Sequence, residues 1–279
     1  MINLILTTFN REKYFNLFLN SLKYNLDYKF LLIVIDQNPS DDLSCLNSLK
    51  SNLPDSYYKY KRVERMSLSK ARNIGLELVN NKSIIAFPDD DCIYPENLLH
   101  YVNEYYIHNS GCLVFNSTSN KEIILNTDDK EKLSFKSVLG GIISYTLFFD
   151  FRDFNQRFLF NVKLGVGCYF GSSEESDFTV NYLNTVNNII FKFPNIFIFH
   201  PDKDTILNRK REISYALGTG GFLKNNFKIF LANAPLSIIK IFLGPIYLII
   251  LGSVSFNKTK ITKGYLRLIY RLKGFYLWV

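Results

Sequence analysis

Three consecutive carboxylates, Asp89, Asp90 and Asp91, follow the apolar run Ile84-Ile85-Ala86-Phe87-Pro88. Like charges this close repel one another, so a cation is the natural reason for their coexistence. An all-oxygen cluster suits a hard divalent ion, Mg²⁺ or Mn²⁺, which keeps part of its water shell and draws other ligands from substrate phosphate. The chemistry indicated is the handling of a phosphate-bearing substrate. The competing reading is a solvated acidic turn capping a helix that starts at Pro95, with Glu96 near the positive end of its dipole. A second acidic stretch, Glu174-Glu175-Ser176-Asp177, reads by itself as helix N-terminal charge with Ser173 as cap. Gly165-Val166-Gly167 with Gly171 has the wrong spacing for a dinucleotide fingerprint, and acids follow it, so it reads as a flexible loop.

The elements that must position these groups alternate. Residues 2–8 and 30–36 read as buried strands, and 12–24 as a helix with Phe15, Phe18, Leu19 and Leu22 on one stripe. Further helices are expected over 43–50, 70–80 with Ser69 as cap, 96–107 and 174–184. Strands are expected at 58–63, at the run before the aspartates, and at 112–117, 145–151 and 196–200, with 126–137 a polar connection. Such alternation predicts an α/β sandwich with a mostly parallel sheet. Ligands of open α/β sheets sit beyond the carboxyl ends of the strands, which is where Asp89 to Asp91 would lie.

Charge divides the chain unevenly. Residues 1–204 carry 21 Lys+Arg against 24 Asp+Glu, whereas 205–279 carry 12 Lys+Arg against Glu212 alone. The basic quarter is also apolar: its uncharged run 241–256 is 16 residues long and contains Pro245. A spanning helix needs about 20 apolar residues, so this run is marginal for crossing a bilayer. The tail after it interleaves Lys and Arg with Tyr265, Phe275 and Trp278, a pattern that favours anionic lipid headgroups over nucleic acid beside so apolar a run. A helical hairpin packed on the rest of the protein is the plainer alternative. The chain is therefore divided into 1–204, carrying the chemistry, and 205–279, a membrane-association region. Cys45, Cys92, Cys112 and Cys168 are too widely spaced for a zinc site or a disulfide framework, consistent with a reducing cytoplasm. Residues 1–8 lack a basic leader and read as a first strand, not a signal peptide.

Taken together, the segments resemble a family 2 glycosyltransferase of the GT-A fold, the inverting, nucleotide-sugar-dependent type of bacterial surface polysaccharide assembly such as O-antigen or capsule. Ile5-Leu6-Thr7-Thr8-Phe9-Asn10-Arg11 resembles the family's opening strand and turn, which implies donor contacts at Thr8, Asn10 and Arg11. Val34-Ile35-Asp36 resembles the segment whose acid recognises the base, and Ser69-Lys70-Ala71-Arg72-Asn73-Ile74-Gly75 the helix start beneath the diphosphate, implying Arg72 and Asn73. Asp89-Asp90-Asp91 falls at the Asp-x-Asp motif, which implies Asp91 and Asp89 as metal ligands and Asp89 and Asp90 near the donor. His200 resembles the C-terminal histidine that completes the metal site. The Gly171-to-Phe178 segment resembles the acidic helix start supplying the catalytic base, with Glu175 in place of the usual Asp and Glu174 as the alternative. The resemblance implies a Mn²⁺ or Mg²⁺ cofactor, a nucleotide-sugar donor with UDP favoured, and a glycolipid or oligosaccharide acceptor such as a lipid-linked or lipopolysaccharide chain. With the basic apolar tail, which argues against a nucleic-acid partner, it implies a peripheral or monotopic place on the cytoplasmic face of the inner membrane. Two other classes stay open: another Mg²⁺-dependent nucleotidyl enzyme, for which no Gly-rich phosphate loop is present, and a membrane-associated partner that has lost turnover.

Overall fold

The computed structural model describes residues 1–79, 82–119, 131–133, 142–154, 158–186, 190–201 and 207–279. Strands β1 (Ile2–Thr8) and β2 (Phe30–Asp36) enclose helix α1 (Glu12–Leu22) in sequence. Helix α2 (Ser44–Asn52), β3 (Tyr58–Arg62), α3 (Leu68–Glu77) and β4 (Ile84–Ala86) follow. Next come α4 (Leu98–His108), β5 (Cys112–Thr118), β6 (Glu131–Leu133), β7 (Leu147–Asp150), α5 (Glu174–Thr185) and β8 (Ile190–Phe199). The chain then turns wholly helical, through α6 (Arg209–Asn225), α7 (Phe227–Asn233), α8 (Pro235–Val254) and α9 (Lys258–Leu277).

Among the described residues the strands form one sheet in the order β3-β2-β1-β4-β7-β5-β8-β6. The first four are mutually parallel, and β7 enters antiparallel between β4 and β5. The unbroken apolar runs of β1 and β2 follow from burial on both faces. Leu4, Leu6, Leu32 and Val34 pack under α1, α2 and α4, while Ile5, Ile33 and Ile35 pack against α3 and the layer containing α5 and α6. The expected α/β sandwich with a mostly parallel sheet is the observed fold.

Parallel pairing brings the carboxyl ends of β1 and β4 to one edge, so Thr8 and the aspartates meet there. Helix α3 lies close enough on β1 that a Cβ on Gly75 would stand 2.3 Å from Ile5 Cγ2. That approach sets Arg72, one turn earlier, at the strand ends.

Several boundaries depart from the sequence reading. The helix after the aspartates starts at Leu98, not at residue 96, because Asn97 takes a left-handed φ of 61° before it. Ser69 is no cap: it is buried inside α3 and its hydroxyl donates to the Leu164 carbonyl at 2.6 Å. Ser173 precedes α5 at φ 69° without capping it through its side chain. The short expected strand at 196–200 is the end of the longer β8. Residue 80 and most of 126–137 lie outside the described residues, as does the 204/205 division.

The Gly165–Gly167 segment is held, not flexible. Leu68 N donates to Val166 O at 3.0 Å, and the Asn73 side chain clamps Phe160 at both ends, donating to its carbonyl at 2.9 Å and accepting from its amide at 2.7 Å. Positive φ at Gly165 (102°) and Gly167 (89°) lets this turn follow the start of α3, where a Cβ on Gly165 would meet Glu174 Cδ at 3.0 Å.

In the C-terminal quarter α9 packs on α6 and α8 through glycines. Added Cβ atoms at Gly220 and Gly274 would meet Arg271 O and Leu217 O at 2.1 and 2.3 Å. Helix α8 is long and apolar enough to cross a membrane by length and composition, and only 17% of that stretch is buried within the protein.

Candidate active site

A cleft of about 860 Å³ opens at the carboxyl edge of the sheet, lined by Asp89, Asp90 and Asp91, by Glu174 and Glu175, and by His200. Each comes from a different support. The aspartates leave β4, the glutamates open α5, and His200 follows β8. Ile93 and Phe199 exchange backbone hydrogen bonds of 2.8 and 3.1 Å, and His200 N donates to Thr118 O at 2.9 Å, which pins the histidine beside the aspartates.

Asp89, Asp91 and His200 offer ligand atoms that all lie within 4.8 Å of one another. Asp91 Oδ1 stands 3.0 Å from His200 Nε2. Adjacent ligands on an ion coordinated at about 2.1 Å are spaced about 3 Å apart, so the pair fits a small divalent cation. His200 Nδ1 lies 2.7 Å from the Pro201 carbonyl, an arrangement that commits the Nδ1 proton there and leaves Nε2 to ligate. The Tyr145 ring stacks on the imidazole at 4.7 Å and fixes its plane. Burial works against the charge of Asp91, but His200 and then Arg11 outweigh it and hold its carboxyl below the usual range.

Asp90 points inward, accepting from the Thr8 hydroxyl at 2.8 Å. Burial pushes its pKa up to about 6 in spite of Thr8 and Arg11. Arg11 Nη1 bridges Asp90, at 3.3 Å, and Asp91.

Arg72 is the buried centre of the site, 2% exposed. Its Nη2 donates to Ser144 Oγ at 2.9 Å and to Asp89 at 3.2 Å, and its Nη1 stands 3.6 Å from Glu174 Oε1. The guanidinium lies over the Phe160 ring at 5.3 Å and the Phe87 ring at 5.8 Å. Glu174 is thus committed to a cation. Glu175 is not: its Oε2 is shielded from solvent without a hydrogen-bond partner. Burial, and then the neighbouring charge of Glu174, raises the Glu175 pKa above the ordinary glutamate range.

The sequence profile of glycosyl transferase family 2 matches residues 4–172, more than half of the chain. The chain belongs to glycosyl transferase family 2. Solved glycosyltransferases share its fold. The mannosyltransferase PcManGT of Pyrobaculum calidifontis, in complex with GDP-Man and Mn²⁺, superposes with a TM-score of 0.65 at 14% identity, covering 99% of this chain and 87% of that one. S. aureus TarS 1–349 gives 0.56 at 15% identity, over 98% and 91%. Its complex with UDP-GlcNAc gives 0.56 at 16%, over 98% and 92%. No curated protein sequence matches the chain significantly. These neighbours place the transferase in the GT-A fold.

The transferase site gathers some of the expected residues and not others. Arg11, Arg72, the three aspartates, both glutamates and His200 line the cleft. Thr8 lies beneath it, buried, holding Asp90. Asp36 is fully buried and accepts from Tyr60 OH at 2.6 Å, from Arg62 Nη2 at 2.9 Å and from Asn38 N at 2.9 Å. Asn10 adopts φ 53° and donates its amide to Asn38 Oδ1 at 2.6 Å. Asn73 spends its side chain on Phe160 and does not reach the cleft. The structure adds Ser144, which lines the cleft, and Tyr145, which stacks on His200, both from the 3₁₀ turn before β7, as well as Tyr215 from α6, and it brings Arg211 to the cleft. Nothing in the local sequence marks Ser144, Tyr145 or Tyr215, whereas Arg211 belongs to the basic run Arg209-Lys210-Arg211, whose charge suits diphosphate contact or a membrane edge. The family match ends at 172, two residues short of Glu174.

Proposed function

We propose that this family 2 transferase moves a sugar from a nucleotide-sugar donor, UDP-linked in preference, to a lipid-linked or lipopolysaccharide acceptor with inversion at the anomeric carbon. The observation that carries the reading is one cleft holding both the Asp89, Asp91 and His200 group and the carboxylate of Glu175, whose Oε2 is shielded from solvent and has no hydrogen-bond partner. Complexes of fold neighbours with UDP-GlcNAc and with GDP-Man and Mn²⁺ support the donor class and the ion.

Asp89, Asp91 and His200 would hold Mn²⁺ or Mg²⁺, which when bound offsets the negative charge growing on the departing nucleoside diphosphate. Glu175 Oε2 takes the proton of the acceptor hydroxyl, and its raised pKa brings its basicity closer to that task. The hydroxyl oxygen bonds to the anomeric carbon as the bond from that carbon to the diphosphate oxygen breaks, from the opposite face. Arg72 engages Glu174, which leaves Glu175 as the base. Arg11 and Thr8 position Asp90 for the donor.

Residues 1–204 form the catalytic part in this reading, and 205–279 attach it to the cytoplasmic face of the inner membrane, with the exposed apolar face of α8 and the basic α9 as support. Surface polysaccharide assembly is the corresponding setting. Calorimetric titration of UDP, GDP, dTDP and CMP, with Mn²⁺ and then with EDTA, tests the core claim. Metal-dependent binding of one nucleotide is expected, and its absence for all four in a folded sample would refute it.

A further inference from the structure

Beside the cleft lies a second cavity of about 350 Å³ between α6 and α9, sharing Ser172, Arg211 and Tyr215 with it. Three guanidinium groups, Arg211, Arg267 and Arg271, line this cavity, and Glu212 is the carboxylate among its described lining residues. Arg267 already takes up that carboxylate, with Nε at 2.8 Å and Nη2 at 3.3 Å from its oxygens. Arg271 is held by a bond from Nη1 to the Ile241 carbonyl of α8, and its Nε is shielded from solvent without a hydrogen-bond partner. The glycine contacts that bring α6 and α9 backbone to backbone force these long side chains together. Arg271 makes no ion pair among the described residues, and a partly buried cation of that kind is costly unless an anion joins it; Arg is also the residue best shaped to grip phosphate oxygens.

The position of the cavity specifies the anion further. It opens beyond Ser172, at the end of the cleft where α5 presents Glu175, so it adjoins the acceptor's side of the reaction. Its lining residue Arg271 donates to the Ile241 carbonyl of α8, whose Leu243, Ile246, Tyr247 and Ile250 are exposed. A ligand with a phosphate head and an apolar tail matches both neighbours. We propose that this arginine cavity binds the phosphate or diphosphate head of a membrane-resident lipid-linked acceptor, the lipid lying along α8. The proposal rests on the transferase reading for the word acceptor, but not for the binding itself.

Binding of farnesyl phosphate, farnesol and inorganic pyrophosphate to the full-length protein in detergent tests it, with UDP and Mn²⁺ as a parallel titration. Farnesyl phosphate is expected to bind at least about tenfold more tightly than either farnesol or pyrophosphate, the scale of one charged hydrogen bond. Arg267→Gln is expected to weaken it about tenfold while leaving UDP binding unchanged. Because that change strands Glu212, Thr219→Phe serves as the second variant: it fills the cavity from α6 and keeps every charge. Equal affinity for farnesol would reduce the site to apolar adhesion, and equal affinity for pyrophosphate would make it a site for a soluble anion. Either result overturns the proposal, as does unchanged binding in folded Thr219→Phe. Loss of UDP binding in the wild type with farnesyl phosphate binding intact would refute the donor reading and leave this one standing.

Discussion

Arg72→Met tests whether one buried guanidinium ties the metal-side and base-side carboxylates together. Two different nitrogens are engaged, Nη2 with Asp89 at 3.2 Å and Nη1 near Glu174 at 3.6 Å, in a side chain 2% exposed. Removing one partner of a buried ionic group strands the others, at a cost of about 3–5 kcal/mol. For a chain of this size that is a fall in Tm on the order of 6–20 °C. Part of the cost is the uncompensated charge of Glu174, so neutralising it should return some of the loss. The double variant Arg72→Met/Glu174→Gln is therefore expected to be more stable than the sum of the single effects by about 1 kcal/mol or more, read by urea unfolding. Arg72→Lys should fall between, since one ammonium cannot serve both carboxylates and the stacking on Phe160 and Phe87 is lost. Additivity within about 0.5 kcal/mol would mean the pair is not coupled and would sink the reasoning.

Glu175→Gln is expected to lower turnover by about 10²–10⁴ with nucleotide binding unchanged. The deprotonated form acts as base and its pKa is raised, so the rate should climb with pH through a limb lying above the ordinary glutamate range. A limb at or below that range in a pH–rate profile would exclude Glu175. His200→Ala should weaken Mn²⁺-dependent nucleotide binding at least about tenfold, with metal-free stability little altered. Gly75→Ala drives a methyl to 2.3 Å from Ile5 Cγ2 and should cost about 1–3 kcal/mol in thermal unfolding. EDTA alone, without nucleotide, should leave Tm unchanged within about 1 °C.

The strands were legible because burial on both faces writes itself as unbroken apolar sequence, and β1 and β2 begin and end where the residues predict. Helix starts were less so. Pro95 and Glu96 read as the starting signals, but the helix opens at Leu98 after Asn97 takes the left-handed conformation that Asn tolerates better than most residues. At the site, the carboxylates and His200 stood out because charge at a strand end is costly and therefore informative. Asp36 and Asn73 show the limit of that logic. Their residue types suit donor contact, yet Tyr60, Arg62 and Phe160, far away in sequence, engage their polar atoms. The arginine cavity was legible only as separate basic segments, because Arg211, Arg267 and Arg271 converge through the close packing that glycines on two helices allow.

The repulsion among Asp89, Asp90 and Asp91 argues in the sequence for an external cation, but the fold supplies cations of its own. Asp89 has Arg72, Asp90 has Arg11, and Asp91 has Arg11 and His200. Folding therefore does not require the ion, which is why chelation alone should not destabilise the protein. These cations differ in how readily they can leave. Arg72 is buried and clamped between rings, and His200 is stacked on Tyr145, whereas the Arg11 side chain is 49% exposed. On the proposed reading, Arg11 would be the counter-ion free to exchange Asp91 for a donor phosphate, with Asp91 turned to the metal that Asp89, Asp91 and His200 would hold. On this logic Arg11→Ala weakens nucleotide binding through a lost phosphate contact while tightening, or leaving unchanged, binding of Mn²⁺ by itself. A matched loss of both affinities would place Arg11 in the framework of the site and not in the exchange.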